Sequence, residues 1–109
     1  MMQKRSLIDE MNAIHEVDLP EHYDKLTSEQ KAILCGWIDC NLLPRRTVNR
    51  NYSSYGLKHL FEESALGFYI TNGQFKGAML ECGFDPYDED DKNWCFGISE
   101  KSPAFRIRR

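Results

Sequence analysis

The sequence lacks any long hydrophobic run, and no segment approaches the ~18 apolar residues that a membrane-spanning helix needs. The N-terminus, MMQKRSLIDEMNA, has basic residues but no apolar stretch of the kind that defines a secretory signal peptide. We therefore expect a cytoplasmic protein whose four cysteines are reduced. The formal net charge of −3 argues against a chain that coats nucleic acid, although it is compatible with a local basic patch.

Catalytic motifs are also missing, because the sequence has no Ser-His-Asp order, no glycine-rich phosphate-binding loop and no zincin pattern. His59 precedes Glu62 and Glu63 by three and four residues, which suits pairs on a helix surface better than a general base. His15 and His22 form a metal pair in one interpretation, but surface histidines are favoured because no further ligands accompany them. We predict that the protein is not an enzyme and has no cofactor or metal.

The four cysteines, Cys35, Cys40, Cys82 and Cys95, do not have the short spacing of a zinc knuckle. Cys35 and Cys40 are five residues apart, so on a helix they point to different faces. We predict that all four are buried small hydrophobic residues rather than zinc ligands.

A hydrophobic content of 41%, with 12% aromatic residues, is sufficient for one core in a chain of 109 residues. We predict a single compact α+β domain over residues 1–109, mostly helical, with about four helices and a small β-hairpin or wing. Residues 1–43 would hold the N-terminal helices and 44–54 a basic linker. A helix–link–helix–strand unit would occupy 55–99, and 100–109 would form a basic tail.

Two helices are predicted in the first part of the chain. The first is capped by Ser6 with Asp9 and closed by Pro20. The second and longest is capped by Thr27, with Gln30 reaching back to it. Its apolar stripe runs to Pro44 and consists of Ile33, Leu34, Trp37, Ile38 and Leu42.

Two shorter helices are predicted in the second half. Ser53 or Ser54 would cap the first of them, and Gly67 would end it in a left-handed turn. Asn72 would cap the second, and Gly83 would end it. The link between the two helices, residues 68–71, is rich in residues that favour strands.

Alternating apolar residues at Trp94, Phe96 and Ile98 predict a half-buried strand. Gly73 and Gly77 leave a smooth strip on the second short helix, which suits packing against the chain's own longest helix better than a partner surface. The predicted core depends on Trp37, Leu60, Phe61, Phe75, Met79 and Phe96.

The run Asp85–Asp91 holds five acids in seven residues, in a context that favours turns. It fits a solvated loop, a surface that binds a basic groove as nucleic-acid phosphate does, or a calcium site. The calcium interpretation is the weakest, because the glycine and terminal glutamate of an EF-hand loop are missing. The candidate partner-binding residues are Asp85, Asp88, Glu89, Asp90 and Asp91.

No acid occurs between Asp39 and Glu62, and this stretch contains the arginines of the basic linker. These arginines either contact phosphate or carboxylate, or pair with acids elsewhere in the chain. The tail alternates apolar and basic residues, so it forms either a last strand beside residues 94–98 or a disordered cationic end. The candidate nucleic-acid contacts are Arg45, Arg46, Arg50, Lys58, Gln74, Lys76, Arg106 and Arg108.

The order of helix, β-rich link, capped helix, glycine and aromatic strand resembles a winged helix-turn-helix. It is most similar to the small C-terminal domains of viral and phage primase-helicases. The residues that carry this resemblance are Tyr55, Leu57, Phe61, Phe75, Leu80, Gly83, Phe84 and Phe96.

The run SYGLKHLFEES…FYITNGQFKGAMLECGF…NWCFGIS is also similar to short accessory proteins of Gram-positive prophages and conjugative elements. Proteins of that setting include transcription regulators and inhibitors of host defence, anti-CRISPR proteins among them. The resemblance implies a genetic setting and transfers no catalytic residue.

The predicted recognition helix is poorly equipped to read DNA. Gln74 and Lys76 are its only strong candidates for base contacts, and Glu81 would oppose phosphate. The wing loop would be the acidic run, which repels DNA. We therefore expect a non-enzymatic binding protein that inhibits a host nucleic-acid-handling complex, such as a CRISPR effector with a basic groove. The alternative is a winged-helix transcription regulator that binds duplex DNA.

Overall fold

A computed structural model of the protein describes residues 15–106. The first elements of this described part are two 3-10 helices, Glu16–Asp18 and Pro20–Lys25, which together we call the 3-10 segment. The elements that follow are α1 (Ser28–Asn41), β1 (Pro44–Ser53), α2 (Ser54–Glu62), α3 (Asn72–Glu81), β2 (Cys95–Ile98) and α4 (Pro103–Arg106). The predicted α+β class with mostly helical content is confirmed.

The helix predicted to start at Ser6 falls largely outside the described residues. Where that prediction overlaps them, before Pro20, Glu16–Asp18 forms a 3-10 helix instead. Measured over residues 15–106, no helix has the length and apolarity needed to cross a bilayer.

Helix α1 begins as the sequence predicts. The Thr27 hydroxyl accepts the Gln30 N–H at 3.1 Å, and the Gln30 side chain accepts the Thr27 N–H at 2.9 Å. This reciprocal pair satisfies two backbone donors that a helix start leaves free. The helix then buries Leu34 and Ile38 completely, so its predicted apolar stripe faces the core.

The predicted linker at residues 44–54 is wrong, because most of it forms strand β1. β1 pairs antiparallel with β2, and the register places Asn49 opposite Phe96, with irregularities on either side. Asn49 is 1% exposed, and its side-chain amide donates to the Ile98 carbonyl at 2.9 Å. A polar residue therefore occupies the buried position at the middle of the strand, which hides the strand from a hydrophobicity pattern.

Helices α2 and α3 form where predicted, but their ends differ. Ser53 lies at the N-cap of α2 without a capping side-chain bond, and α2 ends at Glu62, well before Gly67. Thr71, not Asn72, caps α3 through a capping box with Gln74. The predicted stop of α3 is confirmed, since Gly83 takes a φ of 91° just after the helix.

The side chains of Ser54 and Asn72, both predicted as caps, instead join separate parts of the fold. The Ser54 hydroxyl donates to Asn72 Oδ1 at 2.7 Å and accepts the Trp94 N–H at 3.0 Å. These two buried bonds tie α2, α3 and the chain entering β2 to one another.

The 3-10 segment lies across α3. Gly73 approaches the Leu19 carbonyl, and Gly77 approaches the Tyr23 side chain and the Pro20 carbonyl, so closely that a Cβ has no space at either position. The glycines of α3 therefore pack against their own chain, but against the 3-10 segment and not the longest helix as expected.

Four of the six predicted core residues, Phe61, Phe75, Met79 and Phe96, are almost completely buried. Trp37 and Leu60 are half-buried and pack against the core from outside. The buried hydrophobic residues come from the helices, from the segments that connect the elements, and from β2. They are Leu26, Leu34, Ile38, Leu42, Leu57, Phe61, Ile70, Phe75, Ala78, Met79, Trp94, Phe96, Ile98 and Ala104.

The predicted tail strand is wrong within the described residues, because Pro103–Arg106 forms the short helix α4. The Phe105 ring stacks on Tyr52 with centroids 3.8 Å apart and planes 6° apart. The tail is thus fastened to the end of β1 by an aromatic pair, and residues 107–109 lie outside the described part of the chain.

Candidate functional site

The acidic run Asp85–Asp91, which we call the acidic segment, lies between α3 and β2 and is held by hydrogen bonds. The Trp94 indole N–H donates to the Glu89 carbonyl at 3.1 Å, and the Tyr87 N–H donates to the Cys95 carbonyl at 2.8 Å. Within the segment, the Asp90 N–H donates to Asp88 Oδ1 at 2.9 Å. The segment is therefore a defined turn whose geometry is set from both ends.

All five candidate acids are exposed, and none forms an ion pair with another residue of the 15–106 range. An exposed carboxylate without an ion-pair partner attracts cations over a distance of about 8 Å at physiological ionic strength. The acidic segment is consequently a concentrated negative surface on a fixed backbone. Its members are Asp85, Asp88, Glu89, Asp90 and Asp91.

Strand β1 brings one candidate arginine, Arg50, next to this surface. The Arg50 guanidinium lies 4.5 Å from the centroid of the Tyr87 ring, so Arg50 packs on the acidic segment itself. The Arg45 guanidinium donates to the Thr47 carbonyl at 3.0 Å and to the Val48 carbonyl at 3.2 Å. Both bonds lie within β1, where its pairing with β2 is irregular. Arg46 is exposed.

Arg106 is exposed at the end of α4, and Arg108 lies outside the described residues. The sequence gives no reason to connect Arg50 with Tyr87. The signal that was missed is the aromatic residue inside the acidic run, since an exposed tyrosine among five acids offers an arginine a ring face.

The candidate contacts on α2 and α3 are not available to a partner in this structure. Gln74 is engaged in the capping box with Thr71. Lys76 is 1% exposed and Lys58 is 4% exposed. Because Gln74 is engaged in its own helix cap and Lys76 is buried, the base-reading role predicted for them is not supported by their position.

Lys76 lies among aromatic and charged groups in the interior. Burial lowers the pKa of its ammonium, and neighbouring Lys92 lowers it further, while Asp18 and Asp91 oppose the shift. The positive charge of Lys76 is therefore held inside the fold at a cost, and the Trp94 ring, whose centroid is 4.7 Å away, offsets part of it.

The cysteines differ from the uniform burial predicted for them, because Cys40 is exposed while Cys35, Cys82 and Cys95 are half-buried. Burial, followed by a hydrogen bond with Cys35, raises the pKa of the Cys82 thiol. Burial also raises the pKa of Cys95, and nearby Arg50 moderates that effect. Over the described range, no three potential ligands come together in a group that could hold a metal ion.

Each of the three histidines has a hydrogen-bond or ion-pair partner within the protein. His22 Nδ1 lies 2.8 Å from the Thr71 hydroxyl, and His59 Nδ1 lies 3.1 Å from Glu62 Oε1. The latter is an i, i+3 pair on the surface of α2, which is the arrangement favoured from the sequence. His15 is exposed at the start of the described chain, and its backbone N–H donates to Asp18 at 3.2 Å.

Comparisons with protein-family models, with curated proteins and with solved structures find no match to this chain.

Proposed function

We propose that the protein is a non-enzymatic, cytoplasmic binding protein that inserts its acidic segment into the basic groove of a nucleic-acid-handling complex. The observation that carries this proposal is the concentration of five exposed, unpaired carboxylates on a backbone fixed by Trp94 and Cys95. A groove lined by arginine and lysine binds regularly spaced negative charge, whether phosphate or carboxylate supplies it. A preformed turn also loses little conformational freedom on binding.

The setting that the sequence resembles, prophages and conjugative elements, makes a host defence complex the natural partner class. An anti-CRISPR protein would need this property, because it competes with nucleic acid for a cationic channel. A basic host complex of that kind is therefore the partner that we propose.

The alternative, a DNA-binding regulator, draws its support from the exposed arginines of β1 and α4. Such a protein would contact the phosphate backbone through Arg45, Arg46 and Arg106, without base contacts from α3. Duplex affinity would then fall steeply with salt.

The experiment begins with affinity capture from a host lysate, with and without nuclease. A protein that is retained after nuclease treatment favours inhibition, whereas recovery of DNA alone favours the regulator. The captured partner is then titrated by calorimetry with the parent and with a variant that carries Asp88→Asn, Glu89→Gln, Asp90→Asn and Asp91→Asn. We expect the variant to bind at least tenfold more weakly, which is about 1.4 kcal/mol.

A matched control neutralises four exposed acids elsewhere in the fold: Glu16→Gln, Asp24→Asn, Glu29→Gln and Asp39→Asn. Both variants change the net charge equally, so only the location differs, and the control should bind as the parent does. Equal weakening by both variants would reduce the effect to net charge and contradict the proposal. If instead the acidic-segment variant binds duplex DNA more tightly in a mobility-shift assay, the regulator is favoured.

A further inference from the structure

A second feature lies on the side of α3 that faces α2. A pocket of about 660 Å³ opens between Tyr55 of α2, Asp18 of the 3-10 segment, Tyr69 of the link before α3, and Lys92 of the chain that enters β2. That volume is in the range of sites that bind small molecules. None of the five candidate acids lines it, so it is separate from the surface on which the proposed function rests.

The floor of the pocket is a buried polar network centred on Asn72. The Asn72 amide nitrogen lies 3.2 Å from Asp18 Oδ1, 3.0 Å from the Lys92 carbonyl and 2.9 Å from Asn93 Oδ1. Its oxygen accepts the Ser54 hydroxyl at 2.7 Å. Three separate stretches of chain, at Asp18, Ser54 and residues 92–93, are therefore bonded to one side chain, which makes the pocket a preformed cavity.

Two tyrosines with open rings border the cavity. Tyr55 is 52% exposed and Tyr69 is 76% exposed, although both are large aromatic residues. The Lys58 ammonium lies 5.4 Å from the Tyr55 ring centroid and 5.1 Å from that of Tyr69, and the His59 ring packs edge-to-face with Tyr55 at 4.5 Å. Exposed aromatic rings beside a cavity form a stacking surface for a planar ligand.

The charges at the base of the pocket compensate one another. Glu62 accepts hydrogen bonds from the Lys58 ammonium and the Ile70 N–H, both at 3.0 Å. Burial alone would raise the pKa of Glu62, but these bonds and the charges of Lys58 and His59 outweigh it and hold that pKa below its usual value. Glu62 is thus an anion at neutral pH, and it neutralises the lysine beneath the rings.

The ammonium of Lys92 is different, because it makes no ion pair with the described part of the chain. Lys92 and Asn93 line the pocket, and His15 and His59 also border the cavity. An anion that enters the pocket therefore finds a cation whose charge is still available, next to groups that donate and accept hydrogen bonds.

We propose that this pocket binds a single nucleotide, with the base stacked against Tyr55 and Tyr69 and the phosphate held by Lys92. A nucleobase combines a planar aromatic face with polar edges, which matches open tyrosine rings next to amide and imidazole groups. The nucleotide is either free or one unit of a single strand. A duplex does not fit, because its base faces are covered by stacking.

The experiment titrates the full chain, labelled with ¹⁵N, with four ribonucleoside monophosphates, inorganic phosphate and a short single-stranded oligonucleotide. We expect saturable shifts at the amides of Thr71, Asn72, Lys92 and Asn93. Tyr69→Ala should weaken binding at least about tenfold, because base–aromatic stacking is lost. Tyr69→Phe should retain the affinity, because it keeps the ring.

Tyr87→Ala is the matched control, since Tyr87 is 63% exposed but lies outside the pocket. It should bind the nucleotide as the parent does. Lys92→Ala should weaken nucleotide binding, because it removes the cation proposed to hold the phosphate, whereas its exposed control Lys101→Ala should not. Melting temperatures verify that the pocket variants are folded. A higher affinity for the oligonucleotide than for any monophosphate identifies a single strand as the ligand, and equal affinities identify a free nucleotide.

Three results would overturn the inference. The first is an absence of shifts with both monophosphates and the oligonucleotide at millimolar concentration. The second is binding of inorganic phosphate as tightly as any nucleotide, which would make the rings irrelevant. The third is equal loss of affinity in Tyr69→Ala and Tyr87→Ala.

Discussion

The ammonium of Lys76 lies 4.7 Å from the centroid of the Trp94 ring, and the two residues are 1% and 4% exposed. Burial disfavours the charged form of a lysine, whereas a ring face favours it. The pKa of Lys76 is lowered, and burial is the largest cause of that shift.

We expect Lys76→Met to raise the free energy of unfolding at neutral pH, because it removes this buried charge. The folded chain releases the Lys76 proton at a lower pH than the unfolded chain does, so the penalty is full at neutral pH. It is relieved as the pH rises through the folded-state pKa towards the ordinary value of 10.5. The advantage of the variant should therefore shrink in alkaline solution.

Chemical denaturation at several pH values measures this difference, with Lys101→Met as the exposed control. A stability difference that does not change with pH would mean that Lys76 does not carry a buried charge.

Gly73→Ala should destabilise the protein by about 1–3 kcal/mol, because a Cβ there would collide with the Leu19 carbonyl of the 3-10 segment. Gly36→Ala is the matched comparison, since a Cβ on that residue of α1 meets no atom within 4 Å. It should stabilise the protein by about 0.5–1 kcal/mol, because alanine favours a helix. Denaturant titrations check both signs, and two variants of equal stability would contradict the close contact.

Phe75→Ala should cost about 3–5 kcal/mol, because the ring is completely buried and its loss leaves a cavity. That is a large part of the stability of a small domain. Leu66→Ala removes a side chain that is 74% exposed and should change the stability by no more than about 0.5 kcal/mol. Thermal unfolding measures both, and an unchanged melting temperature for Phe75→Ala would place the wrong face of α3 in the core.

Alkylation should modify Cys40 first and Cys82 last. Cys40 is exposed, whereas burial and the contact with Cys35 raise the pKa of Cys82 and suppress its reactive thiolate. Mass spectrometry of tryptic peptides over a time course gives the order, and the unfolded chain, in which the thiols become equivalent, is the control. Rapid labelling of Cys82 in the folded protein would show that α1 and α3 separate readily.

Local signals in the sequence predict those parts of the fold that depend on neighbouring residues. The capping box at Thr27, the glycine stop at Gly83 and the burial of Phe61 and Phe75 all follow from residues within a turn or two of each other. Strand β1 does not, because its pairing with β2 is formed across the whole of α2 and α3, and its buried residue is Asn49.

The candidate site shows the same division. The acidic segment is visible as a local charge run, and its exposure agrees with that pattern. The burial of Lys76 and Lys58 is not visible, because the rings beside them include Trp94 and Tyr69, which lie outside their own helices. Charged residues on a helix normally face solvent, and only the tertiary packing reveals these two exceptions.

The sheet formed by the described residues has two strands, so β1 keeps an outer edge with no neighbour in that part of the chain. Strands of other molecules can pair with the free backbone groups of an exposed edge, and charged side chains on the edge strand commonly prevent this pairing. Arg45, Arg46 and Arg50 are all exposed on this strand. We therefore expect these arginines to prevent self-association, and their replacement by threonine or valine to make the protein aggregate even where every contact in the core is preserved.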